Sequence, residues 1–249
     1  MSIVKIGVFD SGIGGFSILK ELFITLPQAD FYYIADEEFH PYGEKSAEDI
    51  KTRSCQMVDF LLAKNVQIIL VACNTATAVA IAFLREKYSV PFVGVEPYLN
   101  ILNQKNLLPE DANIAAIMTK KTYTSEKFLQ LKKEKDPMGK IHYYPLAKLA
   151  SLIENNSENF DDENFIAEVE RELQVIDRAH THLILGCTHY PLIEGLIKKI
   201  LRMTIISPCK RVASRVIDLV DQSKKAVPSQ YFHFYSSRKK YWESKNRTI

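Results

Sequence analysis

The chain has 249 residues, 47% hydrophobic and 25% charged, which at ~100–200 residues per domain allows one large globular domain or two small ones. Lys and Arg number 32 against 30 Asp and Glu, and a net charge of +2 argues against a dedicated nucleic-acid binder, whose affinity would rest on neutralising phosphates. The 9 Gly and 10 Pro exclude collagen-like character, and four irregularly spaced cysteines (Cys55, Cys73, Cys187, Cys209) with no Cys-x-x-Cys exclude a disulfide framework.

The opening run MSIVKIGVFD lacks a basic stretch ahead of a long apolar core, so no signal peptide is read and a soluble cytoplasmic protein is expected. Its apolar half predicts a first strand near residue 6. Asp10-Ser11-Gly12-Ile13-Gly14-Gly15 follows, a turn whose glycines admit close backbone approach and whose following helix start suits an anion. Ser17 stands where a dinucleotide fingerprint needs its third glycine, and no GxxxxGK[ST] occurs, so a carboxylate fits this turn better than a nucleotide.

Further β-branched or apolar runs predict strands at 31–35, 67–72, 91–95, 113–118, 140–144, 182–186, 203–206 and 231–235. Pro41-Tyr42-Gly43 reads as a turn. Segment 46–65 has helical period, with Ser46 as N-cap, Asp49 three residues on, and a stripe of Ile50, Met57, Val58, Leu61 and Leu62. Segment 66–84 is β-branched in its first half and Ala-rich in its second, and carries Gln67, Asn74, Thr75 and Thr77. It reads as a strand running into a helix rather than a membrane span. The acidic stretch 155–164 reads as a solvated loop. The basic tail, from Arg238-Lys239-Lys240 to Arg247, reads as a solvated terminal helix.

Continuously apolar strands alternating with helices imply parallel sheets buried on both faces, an α/β architecture. A weak repeat overlies it. IILVACNTATAVAI around Cys73 and LILGCTHYPLI around Cys187 share strand, Cys, polar residue, Thr and helix start, and KIGVFDSGIGG pairs with NIAAIMTKKTYTS, their strands ending at Asp10 and Thr119. Two similar lobes are therefore expected, 1–97 with 208–249 and 98–207. Both cysteines would then face one cleft at the carboxyl ends of the strands.

A thiol between a strand and a helix N-terminus meets unpaired N–H groups and the positive end of the dipole, which should lower its pKa below ~8.5. His189, directly after Cys187-Thr188, is placed for acid–base assistance. His180 and His182 flank a strand start without such context, and Cys55 and Cys209 are expected to be inert. No His, Cys, Asp or Glu group has zinc spacing, so no metal site is expected.

VFDSGIGG at 8–15, PYG at 41–43, ACNTA at 72–76, GVEP at 94–97 and GCTHYPL at 186–192 together resemble the glutamate racemase family, within the cofactor-independent aspartate/glutamate racemase superfamily. The likeness runs from residue 5 to about 195. It implies two α/β/α lobes with mainly parallel sheets, an interlobe site, and two-base inversion of an amino acid without cofactor or metal. Carried over by position, Cys73 and Cys187 become the opposed acid/base pair, assisted by Asp10 and His189 respectively. Glu154 takes the place of a further carboxylate near the second Cys, although the segment before it is two residues longer than the family's. Ser11, Tyr42, Gly43, Asn74, Thr75, Thr119 and Thr188 become substrate contacts. The implied reaction converts L- to D-glutamate for bacterial peptidoglycan. Aspartate racemisation and a non-catalytic amino-acid-binding protein are the alternatives. The implied partner is a small amino acid, not nucleic acid or membrane, with a homodimer left open. Two departures stand out: Phe39 occupies the position of a family Arg, and Ser207-Pro208-Cys209 replaces an Asp-Ser-small sequence.

Overall fold

A computed structural model describes residues 3–104, 108–220, 228 and 231–247. In chain order its elements are β1 (Lys5–Asp10), α1 (Phe16–Thr25), β2 (Asp30–Ala35), α2 (Ala47–Leu62), β3 (Ile68–Val71), α3 (Asn74–Lys87) and β4 (Phe92–Gly94). Then come β5 (Ile114–Thr119), α4 (Lys120–Thr124), α5 (Glu126–Lys135), β6 (Ile141–Leu146), α6 (Leu149–Asn155), α7 (Glu163–Leu173) and β7 (His182–Gly186). The chain closes with α8 (Glu194–Leu201), β8 (Thr204–Ile206), α9 (Cys209–Ile217), β9 (Tyr231–Ser236) and β10 (Tyr241–Asn246).

The strands form two sheets. One has the order β10-β9-β2-β1-β3-β4 and the other β6-β5-β7-β8. Every neighbouring pair is parallel except β9 with β10. All four residues of β3 are buried, as expected for strands covered on both faces. In the first lobe, one face carries α1 and α9 over Ile18, Leu22, Val212, Val216 and Phe232, and the other carries α2 and α3 over Ile50, Val58, Leu61, Ile81 and Leu84. In the second, Ile153, Phe165, Val169 and Ile197 fill one side and Leu99, Phe128 and Ile141 the other. Each of these four apolar clusters stays within the residues of one lobe.

The predicted helix over 46–65 forms α2. Ser46 Oγ accepts the Asp49 N–H at 3.1 Å and donates to the Asp49 carboxylate at 2.6 Å, while Ile50, Met57, Val58 and Leu61 are buried. The stretch over 66–84 divides into β3 and α3 as expected, and no helix among the described residues is long and apolar enough to cross a membrane.

The basic tail is a correction: its residues form β10 rather than a helix. The hairpin turns at Lys240, at φ 59°, whose N–H bonds Ser236 O at 2.8 Å. Strand β9 buries Phe232 and Phe234 and leaves an edge of unpaired backbone groups, which β10 satisfies with six antiparallel pairs. Arg247 then donates to Pro27 O at 2.8 Å and stacks over the Phe23 and Phe31 rings, tying the end of the strand back to the lobe.

Candidate active site

The carboxyl ends of β1, β3, β5 and β7 meet between the lobes. Asp10 ends β1, Thr119 ends β5, Cys73 follows β3 as the N-cap of α3, and Cys187 follows β7 directly. They surround a cavity of about 260 Å³. That is below the ~300–1,000 Å³ of drug-sized ligand sites and suits a small molecule. Ser11, Tyr42, Gly43, Cys73, Asn74 and Thr75 line it from the first lobe, and Thr119, Cys187, Thr188 and His189 from the second. All the substrate contacts expected from the sequence are therefore on its wall, with Asp10 and Glu154 set behind it.

Around Cys73, the Sγ lies 3.8 Å from Ser11 Oγ and accepts the Ala76 N–H at 3.5 Å. Asp10, fully buried, accepts from Ser11 N–H at 2.5 Å and Ser11 Oγ at 3.2 Å on one oxygen, and from Thr188 Oγ1 at 3.0 Å on the other. The carboxylate thus reaches the thiol through a hydroxyl. Burial lifts the Asp10 pKa to about 6, against the attraction of His189 and its hydrogen bonds. Burial, then the Asp10 charge, also pushes the Cys73 thiol well above its ordinary value. This corrects the expected lowering: the α3 N-terminus does donate to the sulfur, but the loss of water outweighs one N–H bond.

Around Cys187, the Sγ lies 3.9 Å from His189 Nδ1, and His189 Nε2 lies 2.7 Å from Glu154 Oε2. Burial alone would depress His189. The hydrogen bonds to Cys187 and Glu154, with the negative charges around it, reverse that and raise it well above its ordinary value. Burial opposes ionisation of Glu154, yet its bond to His189, the charge of that ring and the Ile13 N–H hold it below the usual range. Cys187 also differs from the expected local structure. A short 3₁₀ turn (Tyr190–Ile193) intervenes before α8, so this thiol does not cap a helix as Cys73 does.

At the glycine turn, where a ligand's carboxylate is expected, the acceptor is one of the protein's own: Ile13 N–H donates to Glu154 Oε2 at 2.9 Å across the cleft. A Cβ on Gly12 would collide with that carboxylate. One on Gly14 would collide with His189 Nδ1 and stand 2.7 Å from Thr188 Oγ1 and 2.8 Å from Asp10 Oδ2. Bare backbone is what lets the second lobe reach over the first. A third crossing joins Thr75 Oγ1 to Thr119 Oγ1 at 3.1 Å.

Phe39 lies against Tyr42, and the guanidinium near Asp36 comes from α2 instead. Arg53 grips the buried Asp36 carboxylate through Nε at 2.7 Å and Nη2 at 2.6 Å, and Asp36 accepts the Tyr42 hydroxyl at 2.7 Å. Four polar cavity-lining residues escaped the sequence reading: His40, Glu44, Lys120 and Ser151. Lys120 had a findable signal, since it follows Thr119, already placed at a strand end. His40 and Ser151 had none. Burial and the neighbouring His189 push His40 down to about 4, so its ring is neutral near pH 7.

A two-lobed parallel α/β fold in which each lobe places one thiol, with titratable neighbours, on the wall of a single small cavity suits an enzyme that moves protons. The Asp/Glu/Hydantoin racemase family model matches residues 25–216, and the chain belongs to that family. It is 32% identical to a glutamate racemase of Fusobacterium nucleatum over 95% of this chain and 93% of that one. The fold matches an Escherichia coli glutamate racemase solved with L-glutamate and the activator UDP-MurNAc-ala, at TM-score 0.82 and 25% identity over 94% of this chain and 89% of that one. It also matches a Francisella tularensis glutamate racemase solved with D-glutamate, at TM-score 0.76 and 32% identity over 94% and 88%.

Proposed function

We propose that this chain interconverts L- and D-glutamate by two-base proton transfer between Cys73 and Cys187. The observation that carries the reading is that each lobe contributes one thiol to the same cavity and backs it with its own carboxylate, Asp10 fully buried and Glu154 partly so. Inversion requires the α-proton to leave one face and another to arrive at the opposite face, which one side chain does not reach alone. In one direction Cys187 takes the proton while Cys73, held protonated by burial, supplies the other. In the reverse direction Asp10, ionising near pH 6, draws on Cys73 through Ser11. His189 passes protons to and from Cys187 while Glu154 steadies its charge.

Negative charge develops on the α-carboxylate as the proton leaves. The N–H groups of Asn74 and Thr75, in the first turn of α3, have no intrahelical acceptor and are suited to stabilise it. Asn74 Oδ1 is buried without a hydrogen-bond partner among the described residues, while Nδ2 donates to Val95 O at 3.3 Å. That oxygen is an acceptor for the substrate ammonium. Lys120 provides a cation for the distal carboxylate.

The activator UDP-MurNAc-ala bound to the E. coli enzyme supports a place in peptidoglycan precursor synthesis. The two sheets support lobes of 1–97 with 208–249 and of 98–207. The test incubates purified protein with L-glutamate, L-aspartate and other amino acids in D₂O without added cofactor. Circular dichroism follows chirality and NMR follows α-deuteration. Exchange and inversion of glutamate are expected. Exchange confined to aspartate would move the substrate, and no exchange of any amino acid would overturn the reading.

A further inference from the structure

His40, Glu154 and His189 come from three separate parts of the chain and converge at the cavity edge. One ligand atom from each lies within 4.8 Å of the others. The His189 and His40 rings are 5.4 Å apart between centroids. Both ring nitrogens of His40 are buried; the ring approaches the Ser11 backbone without reaching full hydrogen-bond geometry, and no side chain among the described residues partners either nitrogen. A buried polar atom left unpaired costs about 1–3 kcal/mol. Nothing in the cavity's proton chemistry uses His40, so its unshared nitrogen is available for another partner.

Two imidazoles and a carboxylate favour zinc-class divalent ions over magnesium or calcium, which prefer all-oxygen sites. We propose that His40, Glu154 and His189 bind one such ion, and that the bound ion reversibly switches off proton transfer. The ion would draw the three ligand atoms in to ~2.0–2.2 Å from itself, replacing the proton shared by His189 Nε2 and Glu154 Oε2. His189 would then be fixed as a ligand and would no longer carry protons for Cys187. Sequence spacing hides this site, because the ligands stand at 40, 154 and 189 and meet only when the lobes close. The inhibitory half rests on the racemase reading; the binding half does not.

The test titrates the full chain, freed of metal by chelator, with Zn²⁺ by calorimetry and with Co²⁺ by visible absorption. One ion per chain is expected, with a tetrahedral cobalt spectrum and no competition from Mg²⁺ or Ca²⁺. His40→Phe and His40→Gln, each checked for native unfolding behaviour, should weaken binding at least about 10–100-fold, the range that even an outer-shell partner contributes. Glutamate turnover of the native chain should fall in step with occupancy and return with chelator. Unchanged metal affinity in both His40 variants, or zinc inhibition undiminished in them (an ion on the two thiols instead), would overturn the proposal. Full turnover at full occupancy would overturn its inhibitory half. A chain that turns over no amino acid when metal-free, yet gives the tetrahedral spectrum once Co²⁺ is added, would sink the racemase reading and leave the site standing.

Discussion

Cys73 is backed by a carboxylate acting through a hydroxyl, Asp10 through Ser11, whereas Cys187 is backed by an imidazole held by a carboxylate, Glu154 through His189. The lobes repeat one design of strand, thiol and turn, yet their relays rest with opposite tendencies. On the first side burial favours neutral groups, with Asp10 titrating near 6 and the thiol keeping its proton. On the second, an ion pair keeps a proton on His189 and off Glu154. On the proposed mechanism, a mirror-symmetric reaction would draw on two chemically different proton stores.

The strongest way to break this comparison is to remove one sulfur at a time. Cys73→Ser and Cys187→Ser are each expected to lower racemisation by at least about 10²–10⁴-fold, the usual weight of a positioned acid or base. In D₂O each variant should still exchange the α-proton of one enantiomer without inverting it, and the two variants should select opposite enantiomers. NMR of L- and D-glutamate reads this directly. If both variants exchanged the same enantiomer, the two-sided arrangement would be wrong.

Gly14→Ala strikes both relays together, since its Cβ would meet His189, Thr188 and Asp10. Overpacking of this kind typically costs ~1–3 kcal/mol, so a lowered denaturant midpoint is expected along with loss of turnover. Native stability in this variant would show that the crossing is looser than described.

Asp10→Asn separates stability from activity. The folded pKa of about 6 lies above the ordinary 3.8, so the folded chain holds this proton more tightly. The resulting stabilisation is complete below about 3.8 and is lost as pH rises through about 6. The variant cannot ionise. It is expected to exceed the native chain in stability by on the order of 2 kcal/mol at roughly pH 8 and to gain nothing near pH 3. Its turnover should drop, most in the direction that uses Cys73 as base. Denaturant unfolding at the two pH values checks the sign. The smallest effect is expected from Lys120→Ala: a rise of about two- to fivefold in KM for glutamate with little change in kcat, matching the modest worth of a solvated ion pair.

The parallel strands and α2 were legible because apolar runs and a capped 3.6-residue stripe are local signals. The Cys73 helix start was legible for the same reason. What stayed hidden depended on tertiary surroundings. The rise of the Cys73 pKa comes from burial by two lobes, which opposes the dipole argument made from its neighbours in sequence. Strand β10 reads as a charged tail because only its pairing with the open edge of β9 decides its conformation. The carboxylate at the glycine turn belongs to Glu154, a residue 141 positions away from its Ile13 partner.

Hydrogen bonds cross from lobe to lobe at the site from Ile13 to Glu154, Asp10 to Thr188, and Thr75 to Thr119 and Thr122. Each of the four oily interiors belongs to one half alone. Such bonds contribute about 0.5–1.5 kcal/mol net apiece between neutral groups and about 1.5–3 kcal/mol to an ionised carboxylate, because water replaces them. A substrate can therefore enter and a product depart by trading a few polar clasps for solvent, with each half keeping its own interior.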